Sequence, residues 1–374
     1  MYFCPIDNIM HLERIKIRNF KNITSSLIEF SPRINCITGN NGEGKTNLLD
    51  AVWYLSMTKS FFQTNDRFTF THGENTCTIA GNYVMEDNTV EQIGVSLEKG
   101  GEKKIRRGKK YYTKLSQHIG LIPVVMVSPS DSSLINDSGE ERRRFLNAFI
   151  SQIDKNYRSH LHAYNILIQN RNRLLKDQNC DQGLLEIVSM QMENHANYVH
   201  DKRKELSDSL LPVASRYYSI LSGGKENINF KYISDLNDSS LMELFAEDAA
   251  REKVYGYTLS GIQKDDVLFE MDGYQIKKCA SQGQQKSFLV ALKLAQFTIM
   301  QQNYGYAPIL LLDDVFDKLD MDRVQSLLEV VASEGFGQIF ISDCNKVRLD
   351  ALVESLDTQC NMYDVKAGAF ERII

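Results

Sequence analysis

Several features common in membrane, secreted and metal-binding proteins are missing from this sequence. It contains no run of about 18 apolar residues, so no segment is long enough to span a bilayer. Residues Met1–Asn8 lack the basic start and apolar block of a secretory signal. The 7 cysteines are scattered and form no C-x-x-C pair, which argues against a disulfide framework or a zinc site. We therefore expect a cytoplasmic protein that has no membrane partner.

The 374 residues are enough for two domains, or for one domain with a large insertion. Alternating strands begin at His11–Phe20, a helix is predicted at Lys45–Ser56, and from Ala280 helices and strands alternate as in a parallel sheet. Residues 140–177 and 184–211 have helical periodicity and predict a hairpin whose arms reach only about 40 Å. The predicted fold class is α/β, with residues 1–9 adding nothing to it. One lobe comprises residues 10–120 and 258–374, and a mostly helical lobe, 121–257, is inserted.

A glycine-rich stretch after the third predicted strand matches the P-loop pattern G-x4-G-K-[ST]. Glycines let backbone N–H groups turn toward phosphate oxygens, the lysine reaches the outer phosphates, and the threonine hydroxyl binds Mg²⁺. A chance glycine loop is the alternative, but the strand before it and the helix after it favour a phosphate site. The predicted ATP-binding residues here are Gly39, Asn40, Asn41, Gly42, Glu43, Gly44, Lys45 and Thr46.

An apolar strand, Ile309–Leu312, ends in the pair Asp313-Asp314. Ligands of parallel sheets bind at the carboxyl ends of the strands. Asp313 is therefore predicted to hold Mg²⁺ opposite Thr46, and Asp314 to polarise the water that attacks the γ-phosphate. The alternative is a pair of helix N-cap residues, which the upstream P-loop makes the weaker interpretation.

The segment Ala280–Lys286 precedes a predicted helix, Ser287–Met300, and places Ser281 and Gly283 at a helix start. A serine and a flexible glycine there can present hydroxyl and N–H groups to an anion. The segment lies upstream of the double aspartate in the order that ABC-type ATPases show. In such ATPases this signature faces the γ-phosphate held by a second subunit, so Ser281 is a candidate catalytic residue beside Lys45 and Asp314.

Together the motifs resemble the RecF family of bacterial recombination mediators from about Met10 to the end. The resemblance rests on the P-loop, the signature and the double aspartate, and on four further segments: Ile17–Asn22, Ser128–Asp131, Glu141–Leu146 and Gln169–Lys176. It implies an ABC/SMC-type head that binds ATP and Mg²⁺, dimerises on ATP, hydrolyses ATP slowly and binds duplex or gapped DNA. It also implies RecO and RecR as partners in loading recombinase, and it adds Lys21, Ser281 and Gly283 to the ATP site.

Two segments depart from the family pattern. Gly261–Asp266 reads Gly-Ile-Gln-Lys-Asp-Asp where the family has Gly-Pro-His-Arg-Asp-Asp, and Ser60-Phe61-Phe62 replaces Ser-Phe-Arg. Each departure removes a histidine or arginine that could contact nucleotide or DNA. The ATPase motifs themselves are unaffected.

With a net charge of −5, the chain is not a general polyanion binder, so DNA contacts must come from local patches. Residues 99–114 hold eight basic side chains and one acid. This segment could bind phosphates or be a solvated hairpin, and the sequence favours neither. Arg142–Arg144 and the segment Arg171-Asn172-Arg173 are weaker candidates, because neighbouring acids such as Glu140 and Glu141 can pair with the arginines. The predicted DNA-binding residues are Lys103, Lys104, Arg106, Arg107, Lys109 and Lys110.

The alternative function is the ATPase subunit of another ABC-type assembly. A transporter ATPase usually has a histidine at the switch position, where this chain has Ser342-Asp343. An SMC-like chromosome factor needs helical arms of hundreds of residues. The predicted arms are far shorter, so an ATP-dependent DNA-repair protein remains the favoured interpretation.

Overall fold

A computed structural model describes residues 10–177, 181–317, 319–332, 335–355 and 359–374. The expectation for residues 1–9 lies outside this range. The strands are β1 His11–Phe20, β2 Ile23–Glu29, β3 Ile34–Thr38, β4 Thr76–Val84, β5 Val90–Glu98, β6 Lys104–Arg107, β7 Lys110–Tyr111, β8 Val124–Val127, β9 Ile228–Ile233, β10 Asp266–Met271, β11 Tyr274–Gln275, β12 Ile309–Asp313, β13 Ile339–Asp343, β14 Cys360–Lys366 and β15 Ala369–Arg372. The helices are α1 Lys45–Met57, α2 Ser133–Asn136, α3 Gly139–Ile153, α4 Lys155–Lys176, α5 Gln182–Ser222, α6 Leu241–Tyr255, α7 Ile276–Cys279, α8 Gln282–Tyr304, α9 Met321–Ala332 and α10 Lys346–Ser355.

The chain divides into two compact units, the first made of residues up to 131, 220–223 and 282–374, the second of residues 132–219 and 224–281. These ranges differ from the predicted lobes at both boundaries. Strand β8 pairs in parallel with β12, which assigns residues 121–131 to the first unit. Strand β10 pairs antiparallel with β9, which assigns most of residues 258–281 to the second.

A parallel sheet forms the centre of the first unit, with the strand order β15-β14-β3-β13-β12-β8. Every residue of β3, β12 and β13 is buried, as expected for central strands of a parallel sheet. Because most residues of α8 between Ser287 and Met300 are apolar, this part of the helix is buried on nearly all sides. The edge strand β15 is antiparallel to β14.

An antiparallel sheet completes the first unit, with the order β2-β1-β4-β5-β6-β7. Strand β1 alternates buried and exposed side chains because only one face of the sheet is covered. Its strands β4, β5, β6 and β7 follow one another along the chain and are joined by short turns.

The second unit combines helices α2 to α7 with a three-stranded sheet of order β11-β10-β9. The prediction of one continuous helix over residues 140–177 is wrong, because α3 ends at Ile153 and α4 begins at Lys155. Asp154 separates them: its side chain accepts hydrogen bonds from the N–H groups of Asn156 and Tyr157 and caps α4. Helix α5 extends to Ser222 and includes Pro212, well beyond the predicted end at Leu211. Among the described residues, no helix has the length and apolar character needed to cross a membrane.

Candidate nucleotide site

The P-loop connects the buried strand β3 to helix α1, as its sequence predicts. Lys45, at the start of α1, is only 4% exposed. Its ammonium group donates hydrogen bonds to the carbonyls of Gly39, at 2.8 Å, and Asn40, at 3.1 Å. The loop therefore curls around its own lysine, as a phosphate-binding loop does before it exchanges these carbonyls for phosphate oxygens.

Two glycines of the loop have no tolerable replacement. Gly39 has φ +145°, and a Cβ there would lie 2.5 Å from the Val365 carbonyl oxygen. Gly44 has φ +123°, and its Cβ would lie 2.9 Å from the Asn22 side-chain oxygen. Both positions combine left-handed backbone with close neighbours, so the fixed glycines of the motif follow from geometry.

Residues outside the motif hold the loop in place. The Asn22 amide donates to the Gly42 carbonyl at 3.1 Å and accepts a hydrogen bond from the Asn47 amide at 2.8 Å. On the other side, the Gly368 N–H donates to the Glu43 carbonyl at 2.7 Å. Asn40, Asn41 and Gly42 remain exposed between these supports. Asn22 was not predicted to support the loop, although it lies in one of the family segments.

Two hydroxyl groups and a carboxylate meet where β12 and β13 end. Thr46 Oγ1 donates to Asp313 Oδ1 at 2.9 Å, and Ser342 Oγ donates to the same oxygen at 2.7 Å. Burial raises the pKa of Asp313, while these two hydrogen bonds oppose the rise. The oxygen donors of Thr46 and Asp313 are hard ligands of the kind that Mg²⁺ prefers. The residues predicted to hold the metal are thus in direct contact.

Asp314 has a different environment from Asp313. Its backbone is left-handed, with φ +44°, and its N–H lies 3.2 Å from both the carbonyl and the hydroxyl of Ser342. Burial raises the pKa of Asp314, and the nearby charge of Asp343 adds to the rise. A carboxylate with a raised pKa and a fixed backbone suits a group that accepts a proton from water.

Lys286, on α8, is a cation that the prediction did not include. Its ammonium group donates to the Asp314 carbonyl at 3.4 Å. Burial lowers the pKa of Lys286, and the carboxylates of Asp131, Asp317 and the double aspartate partly oppose this. The lysine belongs to the predicted signature segment, so α8 contributes a positive charge beside the double aspartate.

Lys21 lies beside α1, where it pairs with Asp50 at 2.6 Å. The same carboxylate accepts hydrogen bonds from the Ser60 hydroxyl at 2.6 Å and the Phe61 N–H at 2.7 Å. The Lys21 ammonium also lies 5.3 Å from the centre of the Phe62 ring. In this structure Lys21 therefore anchors the segment after α1, and its role toward ATP stays a prediction.

The predicted signature spans the end of one unit and the start of the other. Ser281 is the last residue of the second unit and is exposed. Gly283 lies in the first turn of α8, in the first unit. Their predicted contact with the γ-phosphate of another subunit remains a prediction. In the loop that follows the double aspartate, Asp320 accepts a hydrogen bond from the Arg323 N–H at 2.9 Å.

The predicted DNA-binding residues fall into two groups. Lys103 pairs with Asp66 at 2.6 Å, and Arg107 pairs with Glu91 at 2.6 Å. Arg106 donates to the Gln92 side chain at 2.8 Å and to the Gly108 carbonyl at 2.7 Å. These three cations are engaged by neighbouring groups of the first unit. The remaining three, on β6, β7 and the turn between them, are exposed: Lys104, Lys109 and Lys110.

Three of the weaker arginine candidates are engaged within the second unit. Arg142 pairs with Asp266 at 2.6 Å. Arg144 pairs with Glu140 and Glu141, as the sequence suggested. Arg171 is buried against Glu252, at 2.6 Å. These side chains already have partners that explain their presence.

The chain is similar to known proteins along most of its length. A family model described as RecF/RecN/SMC N terminal domain matches residues 11–369. The DNA replication and repair protein RecF of Parabacteroides distasonis is 43% identical over 359 residues, covering 96% of this chain and 98% of that protein. RecF of Flavobacterium johnsoniae is 42% identical over 350 residues, covering 92% of this chain and 97% of that protein.

Two solved structures have a similar fold. The structure of the recombination mediator protein RecF with ATP, in the RecFOR pathway, matches with a TM-score of 0.88 and 26% identity over all of both chains. The Smc head domain of Pyrococcus furiosus, with an extended coiled coil and bound to part of ScpA, matches with a TM-score of 0.57 and 15% identity, covering 98% of this chain and 96% of that one. The second likeness concerns the fold alone. Together they confirm the predicted α/β, ABC/SMC-head-like fold with a helical insertion.

Proposed function

Because the chain belongs to the RecF family of DNA replication and repair proteins, we propose that it uses slow ATP hydrolysis to control its binding to duplex or gapped DNA. An ATPase role in DNA repair and replication follows from the family. The rate of hydrolysis, the DNA structure and the partners are the proposed part. The single observation that carries the proposal is the joint placement of Lys45, Thr46 and Asp313 around one loop.

ATP would bind with its phosphates on the N–H groups of Gly39–Thr46 and on the Lys45 ammonium. When phosphates arrive, the lysine exchanges its two carbonyl partners for phosphate oxygens, which form stronger charge-assisted hydrogen bonds. Thr46 and Asp313 are the residues that would hold Mg²⁺, which neutralises phosphate charge when it is bound. Asp314 would orient and deprotonate the attacking water, since its raised pKa makes it a better proton acceptor.

Dimerisation supplies the proposed link between ATP and DNA. The exposed Ser281 and the neighbouring Gly283 would contact the γ-phosphate bound by a second copy, so that two nucleotides hold a symmetric dimer. Hydrolysis would then release the dimer and its DNA. RecR and RecO are the proposed partner proteins, because the solved RecF structure belongs to the RecFOR pathway. The proposed location is the cytoplasm.

The test compares binding to duplex, gapped and single-stranded DNA with and without ATP. We expect ATP to increase the affinity for duplex and gapped DNA, and Lys45→Ala to remove that increase because the loop loses its charge on the outer phosphates. Nucleotide affinity is measured in parallel. DNA binding that is the same with and without ATP in the wild type would overturn the proposed coupling, and unchanged ATP affinity in Lys45→Ala would overturn the P-loop assignment.

A further inference from the structure

The turn after α6 displays two aromatic side chains to solvent. Helix α6 ends at Tyr255, and Gly256 adopts a left-handed conformation with φ +71°. Tyr255 is 57% exposed and Tyr257 is 43% exposed, with ring centres 5.9 Å apart. Large aromatic side chains are costly to leave in water, so an exposed pair on an ordered turn points to a binding surface.

A buried arginine holds this turn in place. Arg171 of α4 pairs with Glu252 of α6 at 2.6 Å, where both side chains are almost fully buried. The same guanidinium donates to the Thr258 hydroxyl at 2.8 Å and packs over the ring of Phe245 at 3.7 Å. This one guanidinium therefore connects α4 to α6 and to Thr258, the residue after Tyr257, and it holds the turn in position.

The neighbouring asparagine completes the support. The Asn172 side-chain oxygen accepts hydrogen bonds from the N–H of Thr258 at 2.8 Å and from its hydroxyl at 2.7 Å. The other Glu252 oxygen accepts from the Leu259 N–H at 2.9 Å. The Arg-Asn pair of segment Gln169–Lys176 therefore serves to shape the turn that carries Tyr255 and Tyr257.

One lysine lies directly beside the turn that carries the two tyrosines, and a second lies two residues before Tyr255 along α6. Lys253 and Lys176 are both exposed. A methyl group at Gly256 would lie 3.3 Å from the Lys176 side chain, so that lysine passes directly beside the turn. Arg251 is close along α6 but already pairs with Asp248 at 2.9 Å. Exposed aromatic rings with adjacent lysines are the combination that unpaired nucleic acid bases and their phosphates require.

We propose that Tyr255 and Tyr257, with Lys176 and Lys253, form a stacking surface for unpaired DNA bases. The rings would stack on bases, and the lysines would contact the backbone phosphates, without reading sequence. This proposal rests on the proposed function, because it assigns the single-stranded part of a gapped substrate to the second unit. A protein partner that uses the tyrosines as anchors is the competing occupant.

The experiment measures the affinity of the full chain, with ATP, for a fluorescent oligothymidylate of about 15 nucleotides, for duplex DNA and for gapped DNA. In Tyr255→Ala/Tyr257→Ala, we expect affinity for oligothymidylate to fall about tenfold or more. Affinity for gapped DNA should fall toward that for duplex, and duplex affinity should stay unchanged. Tyr255→Phe/Tyr257→Phe should keep wild-type affinity, because a phenyl ring still stacks.

Two further variants separate stacking from charge and from general surface effects. Tyr274→Ala removes a tyrosine that is 71% exposed elsewhere in the same unit, and it should leave all three affinities unchanged. Lys176→Ala/Lys253→Ala should lower the salt dependence of oligothymidylate binding by about 0.7 in log-log slope for each phosphate that the variant no longer neutralises. The double tyrosine variant should keep the wild-type slope, since it loses no charge.

The outcomes distinguish this proposal from the proposed function. If wild-type chain binds duplex DNA in an ATP-dependent manner but the double alanine variant binds oligothymidylate as well as wild type, the stacking surface is wrong and the proposed function stands. Equal losses for oligothymidylate and duplex, or no oligothymidylate binding by wild type, also overturn it. Tyrosine-dependent oligothymidylate binding without any ATP-dependent duplex binding would support the surface and overturn the proposed function.

Discussion

Asp313 and Asp314 are adjacent, yet their surroundings give the two carboxylates different chemistry. Burial raises the pKa of both carboxylates, but Asp313 accepts hydrogen bonds from Thr46 and Ser342, which fix its position and oppose that rise. Asp314 is less buried, its backbone is left-handed, and its pKa is raised by burial and by the charge of Asp343. The proposed metal ligand and the proposed proton acceptor therefore follow each other directly in sequence.

Asp314→Asn should keep ATP binding and lose hydrolysis. The amide cannot accept the proton of the attacking water, and general base catalysis typically contributes about 10²–10⁴-fold. Phosphate release and nucleotide affinity are measured on the same preparation. Asp322→Asn, which changes an exposed aspartate at the start of α9, is the control and should match wild type. Wild-type turnover in Asp314→Asn would show that another group positions the water.

Asn22→Ala should weaken ATP binding without unfolding the chain. The variant loses the hydrogen bonds to the Gly42 carbonyl and from Asn47, and each such bond typically contributes about 1 kcal/mol. We expect roughly a tenfold loss of ATP affinity by calorimetry. The control is Asn19→Ala on β1, which removes an exposed side-chain hydrogen bond to Glu74. Equal ATP affinity in Asn22→Ala would mean that the P-loop needs no support from this side.

At the level of elements, sequence reasoning succeeded where a local pattern determines the structure. The apolar strand before Asp313 and the glycine pattern before Lys45 each specify backbone and burial within a few residues. Sequence reasoning failed where a single polar side chain determines a helix boundary or a buried contact. Asp154 ends one helical pattern and caps the next, although the apolar periodicity continues across it. Burial of Arg171 was equally hidden, because its partner Glu252 lies 81 residues away.

The basic hairpin formed by β6, β7 and the turn between them illustrates the same limit. The sequence alone could not show which of its cations pair with neighbouring groups. Lys104→Ala/Lys109→Ala/Lys110→Ala should weaken duplex binding and lower its log-log salt slope by about 0.9 for each phosphate that the variant no longer neutralises. Glu91→Gln/Arg107→Gln is the matched control, because it removes a cation that already has a partner. An unaltered slope in the triple variant would make the hairpin a solvated edge of the sheet.

The ion pair between α4 and α6 should be essential for the stability of the second unit. Arg171→Met leaves the Glu252 carboxylate buried without its partner, which typically costs about 3–5 kcal/mol. Chemical denaturation should show this loss, and adding Glu252→Gln should recover part of it. Lys202→Met breaks an exposed pair with Glu205 and should cost less than about 1 kcal/mol. Similar stabilities for Arg171→Met and Lys202→Met would contradict this account.

At the scale of the whole molecule, the order of the motifs along the chain carries more information than any one motif. The P-loop, the signature and the double aspartate occur in the order of ABC-type ATPases; the signature runs into the start of the buried helix α8, and the double aspartate follows at the end of β12. What the sequence could not determine is where the inserted unit begins and ends, because long-range pairing such as β8 with β12 sets those boundaries.

Ser281→Arg should block ATP-dependent dimerisation while leaving ATP binding by the monomer intact. The P-loop, with Lys45 and Thr46, belongs to the first unit, and Ser281 is exposed at the end of the second. In the proposed mechanism the signature serine contacts the γ-phosphate of the opposite subunit, so both copies would contribute to each site. Arginine at this position would add bulk and charge where the hydroxyl must approach.

The thermodynamic consequence follows from linkage. ATP shifts an equilibrium between monomer and dimer only by the difference in its affinity for the two states. A variant whose dimer makes no additional interaction with the γ-phosphate has no such difference, so ATP cannot drive association. Sedimentation with and without ATP measures this directly, with Tyr274→Arg as the control for an added surface arginine. A Ser281→Arg chain that still dimerises on ATP, or a wild type that never does, would contradict a signature acting between subunits.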